Sequence, residues 1–359
     1  MEAPAQPEPP ESGRAKRIIQ AVLSLAIAWA LLVGVLPRLA DLGEVWDAVR
    51  SMTLVQTVVL IGIAAWNLFG YQLVMMASLP GLRLRHAFLA GQIAAAVTNT
   101  VPAGSVVGIG VTYAVLSSFG HGVGNIAMAS VLSGWWNALV IFALPSMAAL
   151  LLALRGSTNT LLLTASAIGL ALLAAAIVVL VLVSTSERFA RAVGRISGKA
   201  VSALRRVFRK APVRGWDDGL ARFQKGSAVL IRRRWHLLTL ATLVSHLSIF
   251  WVLLACLRGL GVGPELISWP EALGAFAIVR LATAVPITPG GLGLVEVGLT
   301  AALVLIAGEA ARAESAVVAA VLLFRALTFL LQVMLGVVCY LVWRLEARRR
   351  ARAEAPQPS

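Results

Sequence analysis

Charged residues are scarce in this chain. Only 13% of its 359 residues are charged, whereas 59% are hydrophobic and the mean hydropathy is +0.86. These values lie outside the range of soluble globular domains and are typical of a polytopic membrane protein. The two cysteines, Cys256 and Cys339, lie in apolar stretches, where we expect small buried hydrophobes. The sequence lacks a Walker loop, a nucleophile elbow and a cluster of metal ligands, so we expect no enzyme, cofactor or metal.

The basic residues are unevenly distributed. Of the 31 Lys and Arg residues, 24 fall in the segments 1–17, 80–88, 184–235 and 344–359. Their occurrence in alternate loops is what the positive-inside rule predicts for a membrane protein with both termini in the cytoplasm. No folded recognition module surrounds them, so we expect no nucleic-acid partner.

Six stretches are long enough to cross about 30 Å of hydrocarbon at about 1.5 Å per residue. We interpret 1–17 as a disordered cytoplasmic N-terminus because it is rich in Pro and Glu, 18–344 as one transmembrane domain, and 345–359 as a basic cytoplasmic tail. The six predicted spans are 18–36, 53–79, 125–154, 159–183, 236–258 and 316–343.

The cytoplasmic loop 184–235 mixes apolar residues with bases at helical spacing over 187–234. One interpretation is a basic amphipathic helix that lies on the anionic cytoplasmic leaflet. The other is an ordinary loop that obeys the positive-inside rule. Neither interpretation identifies a substrate.

Two further apolar segments, 86–119 and 272–307, are interrupted near their middles by Pro and Gly. Their halves are shorter than the roughly 20 residues of a full span, and each whole segment must return to the face that it left. We therefore favour two oppositely oriented re-entrant hairpins. Two short full spans in each segment would satisfy the same requirement, and eight spans in all is the usual competing count. "TVPAGSVVGIG" resembles "ITPGGLGLVEVG", which indicates a possible inverted repeat with a site near the bilayer midplane.

We expect the breaks to place backbone N–H groups and charged side chains at membrane depth. Each break starts a half-helix, and we expect its N-terminal N–H groups to attract an anion. Arg280 and Glu296 lie about 12 and 16 Å along their half-helices, and Arg325 lies about 13 Å into the last span, so all three can share one depth. They predict either a structural ion pair or a cationic cradle for a lipid phosphate. The candidate substrate-binding residues are Arg280, Pro289, Gly290, Gly291, Gly293, Glu296, Arg325, Asn99, Pro102 and Gly104.

The residues Pro286-x-x-Pro289-Gly290-Gly291-Leu292-Gly293-x-x-Glu296 resemble the signature of the lysylphosphatidylglycerol synthase transmembrane family, also called flippase-like integral membrane proteins. The segments 324–344 and 99–120 resemble the family's closing span and first broken segment. The resemblance implies a bacterial inner-membrane protein that moves a lipid between leaflets. Because the chain ends at Ser359, we expect the family's cytosolic lysine-transferring domain to be absent.

The leading functional hypothesis is a flippase for a phosphate-bearing lipid, either a phospholipid or a polyprenyl phosphate. The main alternative is a non-transporting accessory subunit that presents lipid to a separate lipid-modifying transferase. The first broken segment has Ser105-Val106-Val107-Gly108 where the family resemblance leads us to expect Gly-Gly-acidic. The two halves therefore need not bind the same head group.

Overall fold

The protein is a bundle of α-helices. The computed structural model describes residues 47, 50–101, 104–156, 160–186, 216–284, 288–308 and 311–353, with a few isolated positions between 188 and 195. Within these ranges every regular element is helical, which confirms the predicted all-α class. The helices are α1 (Leu54–Ser78), α2 (Leu84–Thr100), α3 (Gly104–Ser117), α4 (Val123–Ala153), α5 (Thr160–Thr185), α6 (Trp216–Gly259), α7 (Trp269–Ala282), α8 (Leu294–Ala307), α9 (Ala311–Arg325) and α10 (Leu331–Ala353).

Local sequence signals fix two of the helix starts. Thr53 and Gln56 form a reciprocal capping box at the start of α1, and Ser268 and Glu271 form another before α7. In the second box, Glu271 Oε2 accepts hydrogen bonds from the Ser268 N–H at 2.8 Å and from the Ser268 hydroxyl at 2.7 Å. Each box satisfies backbone donors that a helix start leaves without intrahelical partners.

Six helical stretches of the described part are long and apolar enough to cross a membrane. Five correspond to predicted spans: Leu54–Ser78, Val123–Ala153, Thr160–Thr185, Ala228–Gly259 and Glu314–Arg349. The sixth, Pro289–Ala307, belongs to the second broken segment. The predicted span 18–36 and most of the N-terminal region lie outside the described residues, as does 196–215 of the predicted loop 184–235. The last part of that loop is helical, because α6 already begins at Trp216.

The last span contains a local widening of the helix that its sequence does not predict. A π-helical turn, Ala326–Leu330, joins α9 to α10 immediately after Arg325. Such single-turn π segments are rare in helices and occur frequently at functional sites. The continuous span predicted over 316–343 is thus divided at the residue that carries its only described mid-span charge.

Close helix packing depends on small residues. α1 packs along α6, and α2 packs along α10. A Cβ atom on Gly70 of α1 would lie 3.1 Å from Ser245 Cα of α6, and one on Gly336 of α10 would lie 2.5 Å from the Gln92 carbonyl oxygen of α2. Glycine therefore lets these backbones approach, as is common between helices in lipid.

The two broken segments meet inside the bundle. α2 packs against α3 to form the first broken segment, and α7 and α8 form the second. A short 3-10 turn, Pro289–Gly291, precedes α8 and contacts α2. The interruptions predicted from the Pro and Gly residues are therefore present, and they lie next to each other. The re-entrant orientation and the inverted repeat stay predictions.

The outer surface is apolar. Large hydrophobic side chains remain exposed along the helices, for example Leu54 (79%) on α1 and Leu305 (80%) on α8. Apolar exposure on this scale is unfavourable in water and is the surface expected of helices that contact lipid. A buried polar group such as Asn67, whose Oδ1 accepts a 3.0 Å hydrogen bond from the Ser248 hydroxyl, instead faces another helix.

Candidate functional site

An ion pair joins the second broken segment to the last span. The Nε of Arg325 donates to Glu296 Oε1 at 2.6 Å, and its Nη2 donates to the Gly290 carbonyl oxygen at 3.1 Å. Only 5% of Glu296 and 8% of Arg325 are exposed. The Arg325 Cζ also lies 4.7 Å from the ring centroid of Phe329, within cation–π distance. The guanidinium is therefore held on three sides.

The turn that receives Arg325 requires glycine. Gly290 and Gly291 have φ angles of +59° and +70°, a left-handed conformation that side chains with a Cβ rarely adopt. A Cβ on Gly290 would lie 2.5 Å from Phe329 Cε2 and 3.0 Å from Asn99 Oδ1. The glycine thus serves both the backbone conformation and the close approach of α2 to this turn.

The start of α8 is already occupied by a carboxylate. Glu296 Oε2 accepts a 2.7 Å hydrogen bond from the Gly293 N–H, while its other oxygen binds Arg325. We expected the N–H groups of this half-helix to be open to an external anion. Glu296 instead caps the helix from within, because a carboxylate in the first turn satisfies both the free N–H and the helix dipole.

A second guanidinium, that of Arg280, belongs to a chain of polar side chains that come from three helices. Arg280 Nη2 lies 3.4 Å from His246 Nδ1, and His246 Nε2 lies 2.9 Å from Asn137 Oδ1. Arginine has no acceptor atom, so Nδ1 must present its lone pair to Arg280. The histidine proton then sits on Nε2, and Asn137 must present its oxygen to that proton. His246 is only 2% exposed and acts as a fixed neutral acceptor.

The positive charges of Arg280 and Arg325 are compensated to different extents. Within the described part of the chain, no carboxylate forms an ion pair with Arg280, and its Nε has no hydrogen-bond partner. Arg325 is neutralised by Glu296. Two positive charges and one negative charge therefore leave one positive charge at the site, which is carried by Arg280.

A cavity of about 280 Å³ opens between the two broken segments, the last span and helices α1 and α6. Both guanidiniums face it. Its size is slightly below the range of about 300–1,000 Å³ that is typical of small-molecule pockets. The polar lining residues are Asn67, Thr98, Asn99, Ser105, Arg280, Thr283, Thr288, Arg325, Thr328 and Gln332; the apolar ones include Phe276 and Phe329.

The structure brings most of the predicted site residues to this cavity. Arg280, Arg325, Asn99, Gly290 and Gly291 line it. Glu296, Pro289, Gly293 and Gly104 are not among the described lining residues; they pair, turn or pack just behind it. Pro102 lies outside the described residues.

Several contributors were missed or given a different role from sequence. His246 carries no sequence signal for a site, because no metal ligand or charged residue lies near it in the chain, yet it contacts Arg280. The sequence did not predict that hydroxyls at the turn and the last span, such as those of Thr288 and Thr328, line the cavity. Their only sequence signal is position, because Thr288 precedes the Pro-Gly-Gly turn and Thr328 lies three residues after Arg325. Asn137 forms a hydrogen bond between helices, to His246.

These features define a multi-pass membrane protein with a cationic internal cavity. The sequence model of the lysylphosphatidylglycerol synthase TM region matches residues 21–336, and the chain belongs to this family. The family's transmembrane region is its non-catalytic part and is associated with lipid handling. No curated protein matches the sequence significantly.

Proposed function

We propose that this protein moves a phosphate-bearing lipid between the two leaflets of a bacterial inner membrane, with both termini in the cytoplasm. The head group would enter the cavity between the broken segments while the acyl or polyprenyl tails stay in the surrounding bilayer. Membership of a lipid-handling membrane family supports the lipid substrate. The size of the cavity supports occupation by a head group rather than by a whole lipid.

One observation carries the proposal: Arg280 faces the cavity without an anionic partner among the described residues. An uncompensated charge at membrane depth is unfavourable by at least about 2.5–3.5 kcal/mol on insertion scales. A phosphate in the cavity would supply the missing negative charge. Arg280 is also held from behind by His246, so its guanidinium is already positioned before a ligand arrives.

Much of the cavity lining belongs to the two broken segments, which suits a pathway for a polar group. Irregular backbone at membrane depth is tolerated where it is buried in protein or lines a wet cavity. The sequence contains no ATP-binding motif, so lipid movement would be passive or coupled to an ion gradient. Glu296 is engaged by Arg325 and Gly293, and its role in this mechanism is to hold the turn in place.

The test is reconstitution of the full chain in vesicles that contain an acyl-labelled fluorescent phosphatidylglycerol or a labelled polyprenyl phosphate. A membrane-impermeant quencher reports how much label reaches the outer leaflet. We expect protein-dependent movement that is at least about tenfold slower for Arg280→Gln, because a charge-assisted hydrogen bond to phosphate is lost. Arg155→Gln is the matched control, because Arg155 is exposed in the loop after α4. The same rate for wild type and Arg280→Gln would refute the assigned role of the cavity.

Absence of movement for every lipid, from protein shown to be folded, would favour the accessory-subunit alternative. In that case the same cavity would hold a lipid for a separate enzyme. Co-purification with a lipid-modifying transferase would then be the next measurement.

A further inference from the structure

The cavity has a charge and a polarity that restrict the head group beyond its phosphate. The site carries one net positive charge, because Glu296 neutralises Arg325 and leaves Arg280 alone. The remaining polar lining consists of neutral hydroxyls and amides, and no carboxylate belongs to the described lining. A ligand that matches this environment has one negative charge and no positive charge.

We propose that the head group is a singly charged phosphodiester whose remaining part is neutral and rich in hydroxyls. This inference rests on the proposed function and specifies its substrate class. A phosphatidylglycerol head group and a sugar linked through a polyprenyl phosphate share this chemistry. A free phosphomonoester carries about 1.5–2 negative charges at pH 7 and fits less well. Zwitterionic ethanolamine and cationic aminoacyl head groups leave a positive charge without a partner.

The hydroxyls of the lining are prepared to accept hydrogen bonds. The Thr283 hydroxyl, directly after α7, donates to the Arg280 carbonyl oxygen at 3.0 Å, and the Thr328 hydroxyl, in the π-helical turn, donates to the Phe324 carbonyl oxygen at 2.8 Å. Their protons are therefore engaged, and the oxygen lone pairs remain available. Such oxygens accept hydrogen bonds from the hydroxyls of a ligand.

Thr288 adds a hydroxyl that is free to act in either direction. Its Oγ1 is buried and has no hydrogen-bond partner within the described part of the structure. A buried hydroxyl without a partner is unfavourable, so a ligand that pairs with it gains affinity. Thr288 lies directly before the turn Pro289–Gly291. A neutral hydroxyl group of the ligand can thus bind near the turn while the phosphate binds Arg280.

The amides extend the same surface. Asn99 lies beside the turn, and its Oδ1 is 3.0 Å from the position that a Cβ on Gly290 would take. Gln332 and Asn67 complete the lining from the last span and from α1. Amides provide both donors and acceptors without charge, so they bind hydroxyls well and give no charge partner to an ammonium group.

The experiment separates head-group preference from transport. Purified full-length protein is titrated with glycerophosphoglycerol and with glycerophosphoethanolamine, which are water-soluble head groups without acyl chains. We expect glycerophosphoglycerol to bind at least about tenfold more tightly, because the ethanolamine ammonium has no counter-charge in the cavity. Arg280→Gln should remove this difference, Arg280→Lys should keep part of it, and the control Arg155→Gln should leave it unchanged.

A second set of measurements uses vesicles with acyl-labelled phosphatidylglycerol, phosphatidylethanolamine, lysylphosphatidylglycerol and a labelled polyprenyl phosphohexose. Faster movement of phosphatidylglycerol or of the phosphohexose lipid supports the inference and identifies which source the protein uses. Equal rates for all four lipids would overturn the head-group inference while leaving the flippase proposal intact. Selective binding of glycerophosphoglycerol without any lipid movement would support the head-group inference and refute transport. Equal or tighter binding of glycerophosphoethanolamine, or binding of neither compound, would overturn the inference.

Discussion

Replacing Glu296 with Gln leaves the Arg325 guanidinium buried without its counter-charge. The two charged atoms are 2.6 Å apart, and both residues are less than a tenth exposed. At about 4 Å between charge centres and an effective dielectric constant of about 20, the lost attraction is about 4 kcal/mol. Breaking a buried pair by removing one partner destabilises proteins by about 3–5 kcal/mol. We therefore expect Glu296→Gln to lower the free energy of unfolding by about 3–5 kcal/mol.

The assay is denaturant unfolding of the purified protein in mixed lipid–detergent micelles, followed by tryptophan fluorescence. Glu314→Gln is the matched control, because Glu314 is exposed in the first turn of α9, where a carboxylate contributes about 0.3–1 kcal/mol. The double variant Glu296→Gln/Arg325→Gln removes both charges and should recover about half of the loss. The remaining deficit should be about 1–3 kcal/mol, because the Arg325 bond to the Gly290 carbonyl is also lost. A Glu296→Gln protein as stable as the control would refute the reasoning, as would a double variant less stable than either single one.

Three further predictions follow from contacts around the cavity. His246→Leu should weaken binding of glycerophosphoglycerol about tenfold, because it releases Arg280. His246→Asn should retain most of the binding, because the asparagine Oδ1 can accept a hydrogen bond near the former Nδ1 position. Equal titrations for the two variants would contradict this prediction. Gly290→Ala should lower the free energy of unfolding by about 2–4 kcal/mol, because the new Cβ strains a left-handed backbone and overlaps Phe329. Gly62→Ala is the control: nothing lies within 4 Å of its new Cβ, so it should be neutral or stabilising in the same denaturation assay. Gly336→Ala should lower it by about 1–3 kcal/mol by forcing α10 away from α2, and an unchanged unfolding midpoint would show that the two helices separate freely.

The spans were predictable because lipid imposes a one-dimensional rule. A helix must remain apolar over about 20 residues, so segments such as 53–79 and 125–154 are visible in the sequence and agree with α1 and α4. The breaks were visible for a related reason, since Pro and Gly rarely interrupt apolar sequence without a structural cause. The rise per residue predicted that Glu296 and Arg325 share one depth, and the two side chains are in contact.

The partners of Arg280 were not predictable in the same way. His246 and Asn137 come from helices that are distant in the chain, and only the packing of α4, α6 and α7 brings the three polar groups together. No spacing rule links them. The π-helical turn after Arg325 was also invisible, because "ALTFL" contains neither Pro nor Gly. Its presence depends on how the last span meets the rest of the bundle.

The site carries a net positive charge because, among the described residues, only one of its two arginines has an anionic partner. Both guanidiniums face one cavity, and a second carboxylate near Arg280 would have cancelled its charge as Glu296 cancels that of Arg325. Arg280 is instead supported by His246, a neutral acceptor that orients the guanidinium and leaves its charge intact. A fold that needed Arg280 only for stability would gain more from a pair than from this arrangement. The uncompensated charge therefore supports the proposed role of Arg280 in ligand binding, whereas the Glu296–Arg325 pair holds the turn that lines the cavity.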